Sequence, residues 1–278
     1  MCELFGISAS QMCELFGISA SAPFTPADAM RTFRLRGGRS ADNPDGWGIA
    51  YREGASFRLF KAPEPAAGSA LFEELCSTVR SNLILAHVRK ANYPPVNTLT
   101  NTHPFLSECC GKEWAFAHNG LVPEVVALEL AREHPVCRPG GQTDSEYAFC
   151  HLLGYIAQRF DGAELPGSAA WLQTFATISE LVAAHGKFNF LMSDGEHLIA
   201  YGHDGLHYLE RHGGDQPKID WPEDSALVAT QPLDDDAGWA AFDRGELRLY
   251  RLGILLGRIL TAPRSAANRD PAAVSALP

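Results

Sequence analysis

The spacing of apolar residues changes character along the chain. From Cys13, the segment CELFGISAS reads as a short strand. TPADAMRTF reads as a helix, with Thr25 as its cap and Pro26 in its first turn. DGWGIAYRE and FRLFKA suit paired strands, and ALFEELCSTV a helix. NLILAHVRK is an almost unbroken apolar run, which predicts a strand buried on both faces. EWAFAHNG alternates, and its Asn-Gly predicts a closing turn.

Helical spacing then takes over. Asp144–Arg159 sets Phe149, Leu152, Leu153 and Ile156 on one stripe, and Trp171–Val182 does the same with Trp171, Phe175, Ile178 and Val182. Strands return with KFNFLMS and HLIAYGH around Asp194-Gly195, a hairpin signal, followed by LHYLER, ALVATQP and ELRLYRLG. No βαβ alternation is sustained, and neither a GxGxxG nor a GxxxxGK[ST] loop occurs. The order predicts an α+β fold of two packed antiparallel sheets with helices outside. One domain is expected over 12–256, and the Ala- and Pro-rich segment 257–278 is expected to be a disordered tail.

Composition excludes several classes. Of 278 residues, 46% are hydrophobic and 20% charged, as in ordinary globular proteins. The net charge of −10 disfavours a phosphate-tracking surface, so no nucleic-acid partner is expected. No apolar run is long enough to span a bilayer, and the N-terminus has no secretory pattern, so neither membrane nor export is expected. Seven cysteines without a CxxC pair suit reduced thiols and a cytoplasmic setting. Adjacent Cys109 and Cys110 lack chelating spacing, and His87, His103 and His118 read as packed or backbone-bonded, so no metal is expected.

The chain also begins twice. Met1–Ser10 recurs unchanged as Met12–Ser21, with Gln11 between, so Cys2 and Cys13 each follow a methionine. A cysteine freed by trimming carries an α-amine of pKa about 7.7–8 beside a thiol of about 8.5, and the amine can act as base for that thiol. Other residues extend this chemistry. Asn119 and Gly120 could supply oxyanion donors, although Asn-Gly alone reads as a turn. Arg89, past a buried strand, could hold a carboxylate, or be a solvated strand-end charge. Asp144 could pair with an ammonium, or serve the capping box Thr143-Asp-Ser-Glu146. Trp47 reads as core. Together a thiol, oxyanion donors, an Arg and an Asp describe attack on the side-chain amide of an α-amino acid, which is glutamine.

MCELFGIS, DGWGI, AHVRKAN, NTHPF, AHNG, TDSE, FNFLMSDG and ATQPL, in this order, resemble the class II glutamine amidotransferases, closest to their short, single-domain YafJ-like branch. The resemblance runs from Met12 to about Gly253. It implies the four-layer αββα sandwich of the N-terminal nucleophile hydrolases. It also implies a glutamyl thioester on the cysteine, an oxyanion held by Asn119 and Gly120, and substrate bound by Arg89 and Asp144, with no metal or organic cofactor. Thr102 and His103 in NTHPF would lie beside the glutamine pocket. The expected partners are glutamine or a γ-glutamyl small molecule, with a separate ammonia-accepting protein as a further candidate.

The family's first strand continues as in the second copy, which favours Cys13 over Cys2. Three accounts of the doubling are open: translation from Met12 with an artefactual segment 1–11, a propeptide cleaved before Cys13, or Cys2 as nucleophile. A papain-like protease fits poorly, because the candidate cysteine starts a strand. A non-catalytic scaffold that binds an amino acid or a partner is the alternative function.

Overall fold

In a computed structural model, which describes residues 13–91, 96–160, 167–213 and 221–263, the strand that follows Cys13 shows how the layers arise. In β1 (Glu14–Phe24), Phe16, Ile18 and Ala20 join one apolar cluster, while Leu15 joins another on the opposite face. This is the period of two expected of a strand buried on both faces.

β1 is central in a seven-stranded antiparallel sheet ordered β11-β9-β10-β1-β4-β2-β3. Its other members are β2 (Trp47–Glu53), β3 (Ser56–Ala62), β4 (Ser81–Val88), β9 (His207–Arg211), β10 (Ser225–Ala229) and the two-residue β11 (Ala240–Ala241). A six-stranded sheet has the order β13-β12-β8-β7-β6-β5. It comprises β5 (Phe105–Cys109), β6 (Lys112–Leu121), β7 (Lys187–Ser193), β8 (His197–Gly202), β12 (Glu246–Arg251) and β13 (Ile254–Leu260).

Three apolar clusters match three interfaces between layers. Helices α1 (Ala27–Leu35) and α2 (Ala70–Thr78) pack Met30, Phe33, Phe72 and Leu75 on the outer face of the first sheet, around Phe16 and Trp47. Leu15, Leu85, Ala117, Leu191 and Val228 fill the space between the sheets. Helices α4 (Asp144–Arg159) and α5 (Ser168–Ala183) cover the second sheet through Phe149, Leu152, Trp171 and Phe175, against Phe116 and Phe188. A shorter helix, α3 (Glu124–Leu130), follows β6. The result is the pair of packed sheets with outer helices expected from the order of elements, and the four-layer sandwich implied by the resemblance. Among the described residues no helix is long and apolar enough to cross a membrane.

Several local expectations are corrected. Asn119-Gly120 is not a turn: β6 runs on to Leu121, with Asn119 opposite Asn189 and Gly120 opposite Phe188. The glycine is needed for a close approach, since a Cβ at position 120 would lie 1.9 Å from the Lys187 carbonyl oxygen. Thr25 does not cap α1; Pro26 holds that position and no side-chain cap forms. The cysteines are not all free thiols, because Cys137 and Cys150 are joined in a disulfide. β13 extends through Leu260, so the sheet takes in residues 257–260. Cys2 and residues 264–278 of the expected tail lie outside the described residues.

Candidate active site

Strand register brings the candidate residues to one end of the sandwich. Glu14 of β1 and Trp47 of β2 both pair with Val88 of β4, from opposite sides. Cys13, Gly46 and Arg89, each one residue further on, therefore end at one level. Phe16 pairs with Ala229 of β10, and the next residue closes the corner: Leu15 N donates to Thr230 Oγ1 at 2.9 Å, and Thr230 N donates to Leu15 O at 3.0 Å.

The second sheet contributes Asn119. On β6, Ala115 and Ala117 face the space between the sheets, and the alternation puts Asn119 on that face too. Its Nδ2 donates to the Cys13 carbonyl oxygen at 2.9 Å and lies 3.5 Å from Thr230 Oγ1, while its buried Oδ1 has no partner. Asn119 is 1% exposed, so this donor is fixed and dry.

The thiol of Cys13 lies against the backbone of Lys90, with Sγ 3.3 Å from Lys90 O and 3.2 Å from Lys90 N. The residue is partly exposed, but the sulfur is desolvated. Burial pushes the thiol pKa up to about 11; the Lys90 N–H and the Arg89 charge pull it down, and Asp144 and Asp45 raise it. At neutral pH it is a protonated thiol. Near this end of the fold, His87 Nδ1 and both ring nitrogens of His103 are buried without a hydrogen-bond partner. His87 Nε2 donates to His118 O at 3.2 Å. His118 Nδ1 contacts Ser145 Oγ at 2.8 Å.

Arg89 is 7% exposed, and its guanidinium donates through Nη1 to Asn97 Oδ1 at 2.9 Å and to Asp45 O at 3.4 Å. Burial lowers its pKa, while Cys13 and Asp45 oppose the shift. Asp144 opens α4, whose cap is Thr143: Glu146 N donates to Thr143 Oγ1 at 3.2 Å. Asp144 Oδ2 accepts from Val122 N at 2.6 Å and Oδ1 from Ser145 N at 3.0 Å, which ties the helix start to the end of β6. The capping box is only half formed, because the Glu146 carboxylate accepts from Gly140 N and Gly141 N at 2.9 and 2.7 Å.

The structure thus brings Cys13 and Asn119 into contact, with Arg89 and Asp144 near enough to act on the Cys13 charge. Gly120 follows in β6. Thr102 and His103 have other immediate neighbours. Thr102 is fully buried, its hydroxyl donating to Thr98 O at 2.8 Å and its carbonyl accepting from Lys61 Nζ at 2.9 Å. His103 stacks on His87 with centroids 4.2 Å apart, and burial drives its pKa well below the ordinary value. Asp45, Asn97 and Thr230 complete the corner and were not singled out from sequence, although DGWGI contains Asp45 and ATQPL contains Thr230. Among the described residues no group of three or more His, Cys, Asp or Glu could hold a metal.

The sequence profile of the class II glutamine amidotransferases matches residues 12–273. The chain belongs to this family. The Escherichia coli (strain K12) protein YafJ, named for glutamine amidotransferase, is 37% identical over 272 residues, covering 91% of this chain and 98% of the relative. The gamma-glutamyl-hercynylcysteine sulfoxide hydrolase of Mycobacterium tuberculosis is 29% identical over 219 residues, covering 77% of this chain and 78% of the relative. A crystal structure of a glutamine amidotransferase from Pseudomonas aeruginosa PA01 superposes with a TM-score of 0.65 at 29% identity, covering 88% of this chain and 100% of that one. Glutamine phosphoribosylpyrophosphate amidotransferase from B. subtilis shares the fold at 16% identity and a TM-score of 0.61, over 91% of this chain and 50% of that one. The amidotransferase's four layers are those of the N-terminal nucleophile hydrolases.

Proposed function

We propose that this amidotransferase hydrolyses the side-chain amide of glutamine, or the γ-amide of a γ-glutamyl conjugate, through a thioester on Cys13. The observation that carries the reading is the 2.9 Å bond from Asn119 Nδ2 to the Cys13 backbone. It holds a dry amide donor beside the only described cysteine at this end of the fold. The hydrolase relative from Mycobacterium tuberculosis, named for a γ-glutamyl substrate, supports including conjugates.

The chemistry then follows from the residues. Cys13 Sγ attacks the amide carbon, forming a C–S bond. Asn119 Nδ2 and Gly120 N–H receive the charge that develops on oxygen. Arg89 binds the α-carboxylate and Asp144 the α-ammonium, so the reacting amide is placed by the far end of the substrate. The thiol proton passes to a base and on to the departing nitrogen as the C–N bond breaks, so ammonia leaves from glutamine and the substituted amine leaves from a γ-glutamyl conjugate. Water then cleaves the thioester, giving glutamate and regenerating the thiol.

The base is the α-amine of Cys13. A thiol with pKa about 11 needs one, and burial holds the neighbouring His87 and His103 well below the ordinary imidazole pKa, which makes them poor proton acceptors. An amide nitrogen at Cys13 cannot accept a proton, so the working chain begins at Cys13. The φ of +53° at Cys13 supports this: a side chain is strained there, and cutting the bond before it removes the strain.

The test compares protein begun at Met12 and trimmed to Cys13, as checked by intact mass, with a chain in which residues 1–12 are retained, assayed for glutamate release from glutamine and from γ-glutamyl amides. Activity is expected only where Cys13 is first, and Cys13→Ala should abolish it. Equal activity in the chain with residues 1–12 retained, or activity in Cys13→Ala, refutes the assignment.

A further inference from the structure

We propose that Asn97 is a positioning residue for substrate carboxylate recognition, locking Arg89 to the strand that opens at Trp47; this rests on the role given to Arg89 above.

Arg89 is a long, flexible side chain, and holding it in one orientation costs side-chain entropy. Asn97 offsets that cost with both ends of its amide. Its Oδ1 accepts from Arg89 Nη1 at 2.9 Å, and its Nδ2 donates to Asp45 Oδ1 at 2.9 Å. The same Asp45 carboxylate accepts from Ala91 N at 2.8 Å through Oδ2, and Asp45 O lies 3.4 Å from Arg89 Nη1. Asp45 N in turn donates to Arg89 O at 3.0 Å, and Arg89 N to Gly46 O at 2.8 Å. Backbone and side chain of Arg89 are therefore both referred to Asp45, and Asn97 is the link for the guanidinium. Every acceptor is neutral or already shared, so Arg89 keeps charge to offer a carboxylate. A direct Asp45–Arg89 ion pair would compete with substrate; the interposed amide prevents it.

The loop that carries Asn97 also reaches the other charge. Asn101 is 4% exposed, and its Oδ1 accepts from Gln142 N at 2.8 Å, two residues before Asp144. Asn101 N returns to Thr98 O at 3.2 Å and to Thr98 Oγ1 at 3.3 Å, which keeps the turn from Asn97 to Asn101 closed. One short stretch thus touches both Arg89 and the segment that leads into Asp144.

Asn97 lies on the surface, so its replacement should leave the core intact. The experiment measures kcat and KM for Asn97→Ala and Asn97→Asp with glutamine and with 4-aminobutanamide, which lacks the α-carboxylate. Asn97→Ala should raise KM for glutamine about tenfold with kcat changed less than threefold, and leave kcat/KM for 4-aminobutanamide within twofold. Asn97→Asp keeps an acceptor for Arg89 but repels Asp45, and it should raise KM at least as much. In an Arg89→Ala background the Asn97→Ala effect should disappear. An unchanged KM in an active enzyme, or equal losses with both substrates, overturns the proposal while leaving the function standing. Wild-type protein begun at Cys13 that cleaves neither glutamine nor any γ-glutamyl amide overturns the function, and the role of Asn97 with it.

Discussion

Asn119 of one sheet and Cys13 of the other are joined by a 2.9 Å hydrogen bond from the side-chain amide to the backbone carbonyl. The proposed nucleophile, just before β1, and its proposed oxyanion donor on β6 thereby depend on two different sheets, and their separation depends on how the sandwich packs. Leu15, Ala117, Leu191 and Val228 fix that packing two residues further in. Replacing Asn119 by Ala should lower kcat by about 100- to 1,000-fold, as for loss of one oxyanion donor. The loss should fall on kcat rather than KM, and steady-state kinetics with glutamine checks it.

Asp144 gives a prediction with a different signature. Asp144→Asn can keep an oxygen for Val122 N but loses the charge proposed to bind a substrate ammonium. KM for glutamine should rise at least tenfold. For N-acetylglutamine, which has no ammonium, the variant should be no worse than wild type. Parallel kinetics with the two substrates decide it, and equal losses would mean that Asp144 serves only as a helix start.

Next to Cys13, Glu14 is 1% exposed and pairs with Arg36 at 2.8 Å, while Asn43 lies 3.5 Å from its other oxygen. Arg36 also donates to Gln231 O and Pro232 O, so the pair connects β1 to the segment after β10. Burial raises the Glu14 pKa above its ordinary 4.5, with Arg36 opposing. A raised carboxyl favours folding most when protonated, below its ordinary pKa, and that contribution is lost as pH rises through the raised value. Arg36→Met should therefore destabilise by about 3–5 kcal/mol at neutral pH, the cost of an unpaired buried charge. Denaturation of wild type and variant between pH 4 and 8 should show the gap shrinking toward acid.

Asp194, in the β7–β8 hairpin, has the opposite sign. Its carboxylate pairs with Lys112 at 2.6 Å and accepts from Glu196 N at 3.0 Å and His197 N at 2.8 Å. Burial would raise its pKa, but the contacts with His197 and Lys112 outweigh it and hold the group well below its ordinary 3.8. This stability is present above the ordinary value and is lost as pH falls through the depressed one. Asp194→Asn should cost about 2 kcal/mol at pH 7, and the difference from wild type should narrow below pH 3.8 in urea titrations.

Much of the fold was legible because its inner strands are buried on both faces. The run NLILAHV has to be a central strand, and it is β4. Asp194-Gly195 has to be a hairpin, since both flanking segments are apolar. β5 and α3 escaped notice because each is short and carries no clean period. Asn119-Gly120 misled as a turn because the cause of its glycine, the Lys187 carbonyl, is distant in sequence. The Cys137–Cys150 disulfide was equally hidden, since spacing alone does not pair cysteines. For the proposed site, the motifs of Arg89 and Asp144 make them candidates from sequence. Asn97 could not, because an exposed Asn in a loop carries no signal until its two partners are seen.

The most direct measurement labels active protein with 6-diazo-5-oxo-L-norleucine and maps the adduct by peptide mass. The account predicts one adduct, on the sulfur of Cys13, in a peptide whose first residue is Cys13. An adduct on Cys2, or on a Cys13 still preceded by Met12 in fully active protein, would contradict it.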